Sequence, residues 1–173
     1  MAADKMHYAS KVRGIFIFKY LNDGELADLL AISEIVACEN ECTILSEGEL
    51  SPYFFAIVEG TVNVSVKTPD GTDAFVCAIG YGEIFGEAGI FLKVRRTASV
   101  IAAGQATVLR ISRENLFTFV KSHPDAGVKI LMLIIYSMLK RLRSANQELA
   151  FERSSDLDQN DIDSLIQEYT DSE

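Results

Sequence analysis

Two hydrophobic periods divide the chain. Toward both ends apolar residues recur every three or four positions, the repeat that lines one face of a helix. Residues 34–111 instead consist of short runs in which apolar and polar positions alternate. Met6, Ala9, Val12 and Phe16 predict an N-terminal helix over 5–20. Asn22, with Glu25 three residues on, reads as the cap of a second helix carrying Leu26, Leu29, Leu30 and Ile32. The alternating region predicts strands at 34–38, 42–46, 53–58, 61–67, 73–79, 97–103 and 106–111. Pro69-Asp70-Gly71-Thr72 between two of them is a hairpin turn, and Val62, Val64 and Val66 against Asn63 and Ser65 describe a half-buried strand. Regular short strands of this kind argue for an antiparallel roll or barrel. Ser112 then precedes a helical pattern of Leu116, Phe117, Phe119 and Val120. Pro124 suits the first turn of a long helix reaching about Ala150.

The one stretch that breaks the strand rhythm runs from Gly82 through Phe85-Gly86-Glu87-Ala88-Gly89-Ile90 to Arg96-Thr97-Ala98. Its glycines let backbone approach a ligand, and a short helix beginning near Gly86 offers N–H donors and partial positive charge to an anion. Arg96, nine residues after Glu87, is spaced to return a guanidinium fork to the same place, a shape that suits two phosphate oxygens. A carboxylate only accepts hydrogen bonds, so Glu87 beside a phosphate calls for a hydroxyl donor such as a ribose 2′-OH. Together these residues describe a phosphorylated sugar.

Phe85-Gly86-Glu87-x-Gly89-Ile90, six further residues and then Arg96-Thr97-Ala98 resembles the phosphate-binding cassette of cyclic nucleotide-binding domains. These occur in the bacterial catabolite gene activator, the regulatory subunits of cyclic AMP-dependent kinase and cyclic nucleotide-gated channels. The likeness covers roughly residues 15–150. Ile17 to Asn22 resembles the segment before the first domain helix, and Glu47-Gly48-Glu49 a turn that usually reads Glu-Gly-Asp. The resemblance implies a cyclic AMP or cyclic GMP ligand held by Phe85, Gly86, Glu87, Ala88, Arg96, Thr97 and Ala98. Glu87 would take the ribose 2′-OH and Arg96 the phosphate, while Thr97 is compatible with either base. It also implies that the long helix moves over the purine, which brings Asn146 toward the base. Arg95 is a departure, standing where many members have proline. It leaves the loop less rigid and sets two adjacent arginines in competition for the inward position, with spacing favouring Arg96.

Leu131, Ile135, Met138, Leu142, Ala145 and Leu149 follow a heptad rhythm that predicts a homodimer seam, while Leu133, Ile134 and Leu139 offer a second face for the roll. The net charge is −9, and from Phe151 onward eight acids accompany a single arginine, leaving the body nearly neutral. Such a chain lacks the basic surface that nucleic-acid phosphates need, which argues against direct nucleic-acid binding. No apolar run is long enough to span a bilayer and no signal-like start is present, so a cytoplasmic protein is expected. Three cysteines and two histidines in that setting predict reduced thiols and no metal. No nucleophile and base pair marks an enzyme. The expected fold is α+β: an antiparallel, jelly-roll-like β-roll with N-terminal helices, a short phosphate-binding helix and a long C-terminal helix. The expected domains are 1–150, with its long helix at about 124–150, and an acidic tail at 151–173 that is disordered or holds a short helix around Ile162, Leu165, Ile166 and Tyr169. The leading function is a cyclic nucleotide sensor acting on an effector protein through its C-terminal helix. The alternative is a ligand-independent dimerisation or interaction module on the same fold.

Overall fold

Alternation along the strands sends every second side chain to the same side, and two sheets close over those residues. A computed structural model of the chain describes residues 2–170, with side chains over 7–150. The first compact unit ends at Leu133 and the second begins at Ile134. In the first, helices α1 (Ala2–Gly14) and α2 (Asp23–Ala31) precede β1 (Glu34–Cys38), β2 (Thr43–Leu45), β3 (Tyr53–Glu59), β4 (Thr61–Lys67), β5 (Asp73–Gly80) and β6 (Ile84–Phe85). The short α3 (Ala88–Phe91) follows, then β7 (Ser99–Ala102), β8 (Ala106–Ser112), α4 (Arg113–Ser122) and the start of α5 (Pro124–Thr170). One antiparallel sheet has the order β1-β8-β3-β6 and the other β2-β7-β4-β5. This is the expected α+β roll.

Cys38, Leu45, Phe55, Ile57, Val62, Ile79, Phe85, Val100 and Val108 fill the space between the sheets. Phe54, Ala56 and Val58 alternate with Phe55 and Ile57 and are buried as well, so β3 is covered on both faces, with α1 among the elements against it.

The Asn22 cap forms as the sequence predicts, and Ser112, which precedes the next helical pattern, turns out to cap it as well. Asn22 Oδ1 accepts from Glu25 N at 2.9 Å while Asn22 N donates to the Glu25 carboxylate at 2.8 Å, and Ser112 Oγ accepts from Asn115 N at 3.1 Å. The N-terminal helix, expected to reach residue 20, stops at Gly14. Beyond it Phe18 N bonds Ile15 O and Leu21 N bonds Phe18 O, three-residue steps that bury Ile15, Phe18 and Leu21 together. A 3.6 period misreads that segment as more helix. Strand β6 is also an addition, too short for any period to reveal.

The second unit is the remainder of α5. Ile135, Met138, Leu142 and Leu149 are exposed on it, as is Leu139, which the sequence had assigned to the roll-facing side. Ile134, from the same predicted face, is buried. The side chains of Met6, Ile162, Leu165, Ile166 and Tyr169 lie outside the described residues.

Candidate functional site

Strand β6 delivers the chain to the site. Phe85 pairs with Phe55 in register, and their rings stack with centroids 4.9 Å apart and planes 4° from parallel. With Phe85 pinned in the core, the next residue must turn away at once. Gly86 does so at φ +77, in the left-handed region that side chains rarely adopt. The turn then tightens into α3, where Gly89 N bonds Gly86 O at 3.2 Å and Ile90 N bonds Glu87 O at 3.1 Å. Those two N–H groups therefore serve the turn itself.

The space over this turn is taken by Arg96. Its backbone is held on both sides, Arg96 N donating to Glu49 O at 2.9 Å and Gly48 N donating to Arg96 O at 2.8 Å. The side chain points inward and is 7% exposed. Nη1 donates to Gly86 O at 2.8 Å, and Nη2 to Ser51 O at 2.8 Å and to Tyr53 O. Nε is buried and has no protein partner. A Cβ on Gly89 would lie 2.4 Å from Nη1 and 2.8 Å from Ser51 O, so glycine there is what admits the guanidinium. A Cβ on Gly86 would meet Tyr53 O at 3.1 Å and Nη1 at 3.3 Å.

Burial pushes the Arg96 pKa down from its ordinary value, while the carboxylates of Glu49 and Glu87 push it back up. Guanidinium stays protonated under any such shift, so the result is a cation held largely out of water with two acids in its field. Arg95 does the opposite: it is exposed and donates to Gly48 O at 2.7 Å. Of the adjacent arginines, Arg96 is the inward one.

Phe85, Gly86, Glu87 and Arg96 thus come together. Phe85 is buried, Glu87 half-buried, Ala88 exposed, and Thr97 and Ala98 follow Arg96 as exposed and half-buried residues. Asn146 is an exposed residue of the second unit. Sequence reasoning missed Ser51 and Tyr53, which act through backbone carbonyls and so leave no mark in residue type. The Glu47-Gly48-Glu49 turn was visible, with Gly48 at φ +80, but not its role in fixing Arg96.

Residues 35–123 match the family model described as the cyclic nucleotide-binding domain. The chain belongs to that family. Its relatives include a CRP-like cAMP-activated global transcriptional regulator of Mycobacterium tuberculosis, 25% identical over 78% of this chain and 58% of that protein. A cAMP-dependent protein kinase regulatory subunit of Hypocrea atroviridis is 29% identical over 64% of this chain and 25% of its own length. Thus the chain spans little more than half of the first relative and a quarter of the second. A crystal structure of a cyclic nucleotide-binding domain from Methylobacillus flagellatus superposes with a TM-score of 0.73 at 24% identity, covering 85% of this chain and 83% of that one. Among the described residues, no helix is long and apolar enough to cross a membrane, and no three His, Cys, Asp or Glu side chains gather as a metal site.

Proposed function

We propose that this cyclic nucleotide-binding domain is a regulatory sensor for cyclic AMP or cyclic GMP, with the phosphate and ribose held on the cassette from Phe85 to Ala98. The observation that carries the reading is the buried Arg96 guanidinium, wedged between two glycines that vacate the room for it and flanked by Glu87. A desolvated cation attracts a phosphodiester far more strongly than an exposed one does. Arg96 Nε is an unused donor for it, and the Nη groups share or exchange their carbonyl partners. Glu87 accepts from the ribose 2′-OH. Both relatives carry cAMP in their names, which makes it the first ligand to test.

The signal is proposed to leave through the C-terminal helix, with Asn146 reading the base and the exposed Ile135, Met138, Leu142 and Leu149 pairing two copies in concert with Leu131 and Ala145. A ligand shifts such a helix only as far as it binds one arrangement better than the other. Calorimetry with cyclic AMP and cyclic GMP is the test. Glu87→Gln, which leaves the Arg96 contacts intact, is expected to weaken binding about 10- to 100-fold, the value of a hydrogen bond to a charged group. Equal binding by wild type and variant overturns the ribose role, and no binding by wild type overturns the sensor.

One observation favours a second reading. Both Nη groups of Arg96 already have protein carbonyls, the arrangement expected of an arginine kept as an internal strut in a ligand-independent interaction module. That module predicts no nucleotide heat and a dimer that persists in Glu87→Gln, measured by sedimentation.

A further inference from the structure

The corner where the chain leaves one sheet for the other carries two thiols. Cys38 ends β1 in the first sheet and is buried, whereas Cys42 precedes β2 of the second and is exposed. The four residues from Glu39 fold back on themselves, Cys42 N donating to Glu39 O at 3.1 Å, so positions 38 and 42 flank a tight turn. Glu41 within it sits at φ +64, a conformation that costs a non-glycine residue about 1 kcal/mol or more. The turn is tied down from outside as well. Glu41 N bonds Ala102 O at 3.0 Å, Ala102 N bonds Cys42 O at 2.9 Å and Gly104 N bonds Asn40 Oδ1 at 2.8 Å. Across this turn Cys42 is near enough to add to the burial that pushes the Cys38 thiol up, while Cys42 Sγ itself faces Thr43 O at 3.9 Å. The third cysteine, Cys77, is on β5, at the other edge of the second sheet from β2.

We propose that Cys38 and Cys42 are an oxidisable pair that closes to an intrachain disulfide across this corner when the protein meets a peroxide. The two sulfurs have different parts in the reaction. Thiolate is the nucleophile, and the exposed Cys42 is the one a peroxide can reach. Its sulfur attacks one peroxide oxygen, the O–O bond breaks, and the departing hydroxide takes up the thiol's proton as water, leaving a sulfenic acid on Cys42. Burial pushes the Cys38 thiol up and keeps it protonated until then. Cys38 sulfur next attacks the Cys42 sulfur, the S–S bond forms, the S–O bond breaks, and hydroxide leaves with the Cys38 proton as a second water. Two thiols and one peroxide become one disulfide and two waters. Ring closure over so few residues constrains the unfolded chain little, so the signature is chemical rather than a jump in stability.

The experiment treats the full chain with hydrogen peroxide under native conditions, then alkylates remaining thiols, digests with trypsin and weighs the peptides. No lysine or arginine lies between Lys19 and Lys67, so both cysteines fall in one peptide and Cys77 in another. The expected result is loss of two hydrogens from the peptide with Cys38 and Cys42, resistance to alkylation there, and reversal by dithiothreitol. Cys77→Ser should behave like wild type, and Cys42→Ser, an exposed substitution, should abolish the loss. The proposal is overturned if that peptide stays fully alkylatable, gains oxygen without losing hydrogens, links to Cys77, or still loses two hydrogens in Cys42→Ser.

Discussion

Two glycine turns lie close together in this chain and are built on opposite principles. The hairpin turn between β4 and β5 is satisfied by its own residues: Thr68 N bonds Thr72 O at 2.9 Å, Gly71 N bonds Thr68 O at 2.9 Å, and Asp70 accepts from the Thr68 and Thr72 hydroxyls and from Thr72 N. A Cβ added at Gly71 would meet nothing within 4 Å. The turn at Gly86–Gly89 is crowded instead by groups distant in sequence, namely Arg96, Ser51, Tyr53 and Phe55. In the first, glycine answers a backbone angle. In the second, Gly86 answers an angle as well at φ +77, but Gly86 and Gly89 both answer close neighbours, and that crowding is what brings chemistry remote in sequence to one place.

Substitutions separate the two principles. The largest effect is expected from Arg96→Ala, which deprives Gly86, Ser51 and Tyr53 carbonyls of their shared donor. It should cost about 3 kcal/mol or more in urea unfolding and remove nucleotide binding as well. Gly89→Ala forces a methyl to within 2.4 Å of Arg96 Nη1 and is expected to cost about 2–3 kcal/mol, again with loss of binding. Gly71→Ala has the space but the wrong backbone at φ +86, so a loss of about 1 kcal/mol with unchanged binding is expected in the same two assays. If Gly71→Ala proved the costlier glycine change, the contrast between the turns would fall.

The smallest effect concerns Asp70. The Thr68 hydroxyl, followed by the Thr72 amide and hydroxyl, holds its carboxyl below the ordinary aspartate value. A lowered folded-state pKa means that the carboxylate's contribution is complete above the unfolded value of 3.8 and fades as pH falls through the folded one. The urea midpoints of wild type and Asp70→Asn should therefore differ slightly at neutral pH and converge in acid. A gap that widens in acid would contradict this.

Local rules were legible in the residues and remote ones were not. Alternation located β3, β4 and β5 nearly to the residue, the Asn22 cap announced α2, and the apolar spacing after Ser112 announced α4, because each depends on neighbours within a few positions. The segment after Gly14 was misread because it buries residues at three-residue steps, a period close enough to helical to deceive. The spacing from Glu87 to Arg96 pointed to one shared site, and those two side chains do lie in each other's field. What the spacing left out is that Arg96 is gripped by Ser51 and Tyr53 carbonyls, since every residue type carries the same carbonyl.

The clamp on Arg96's own amide and carbonyl has a further implication for how this domain can vary. With that residue anchored at Gly48 and Glu49, the exposed segment from Phe91 to Arg95 is a span fastened at its far end. Lengthening or rewriting such a span costs little, because closing a slightly longer loop adds only a small entropic penalty. A residue inserted between Phe91 and Val94 is therefore expected to leave the guanidinium at its address.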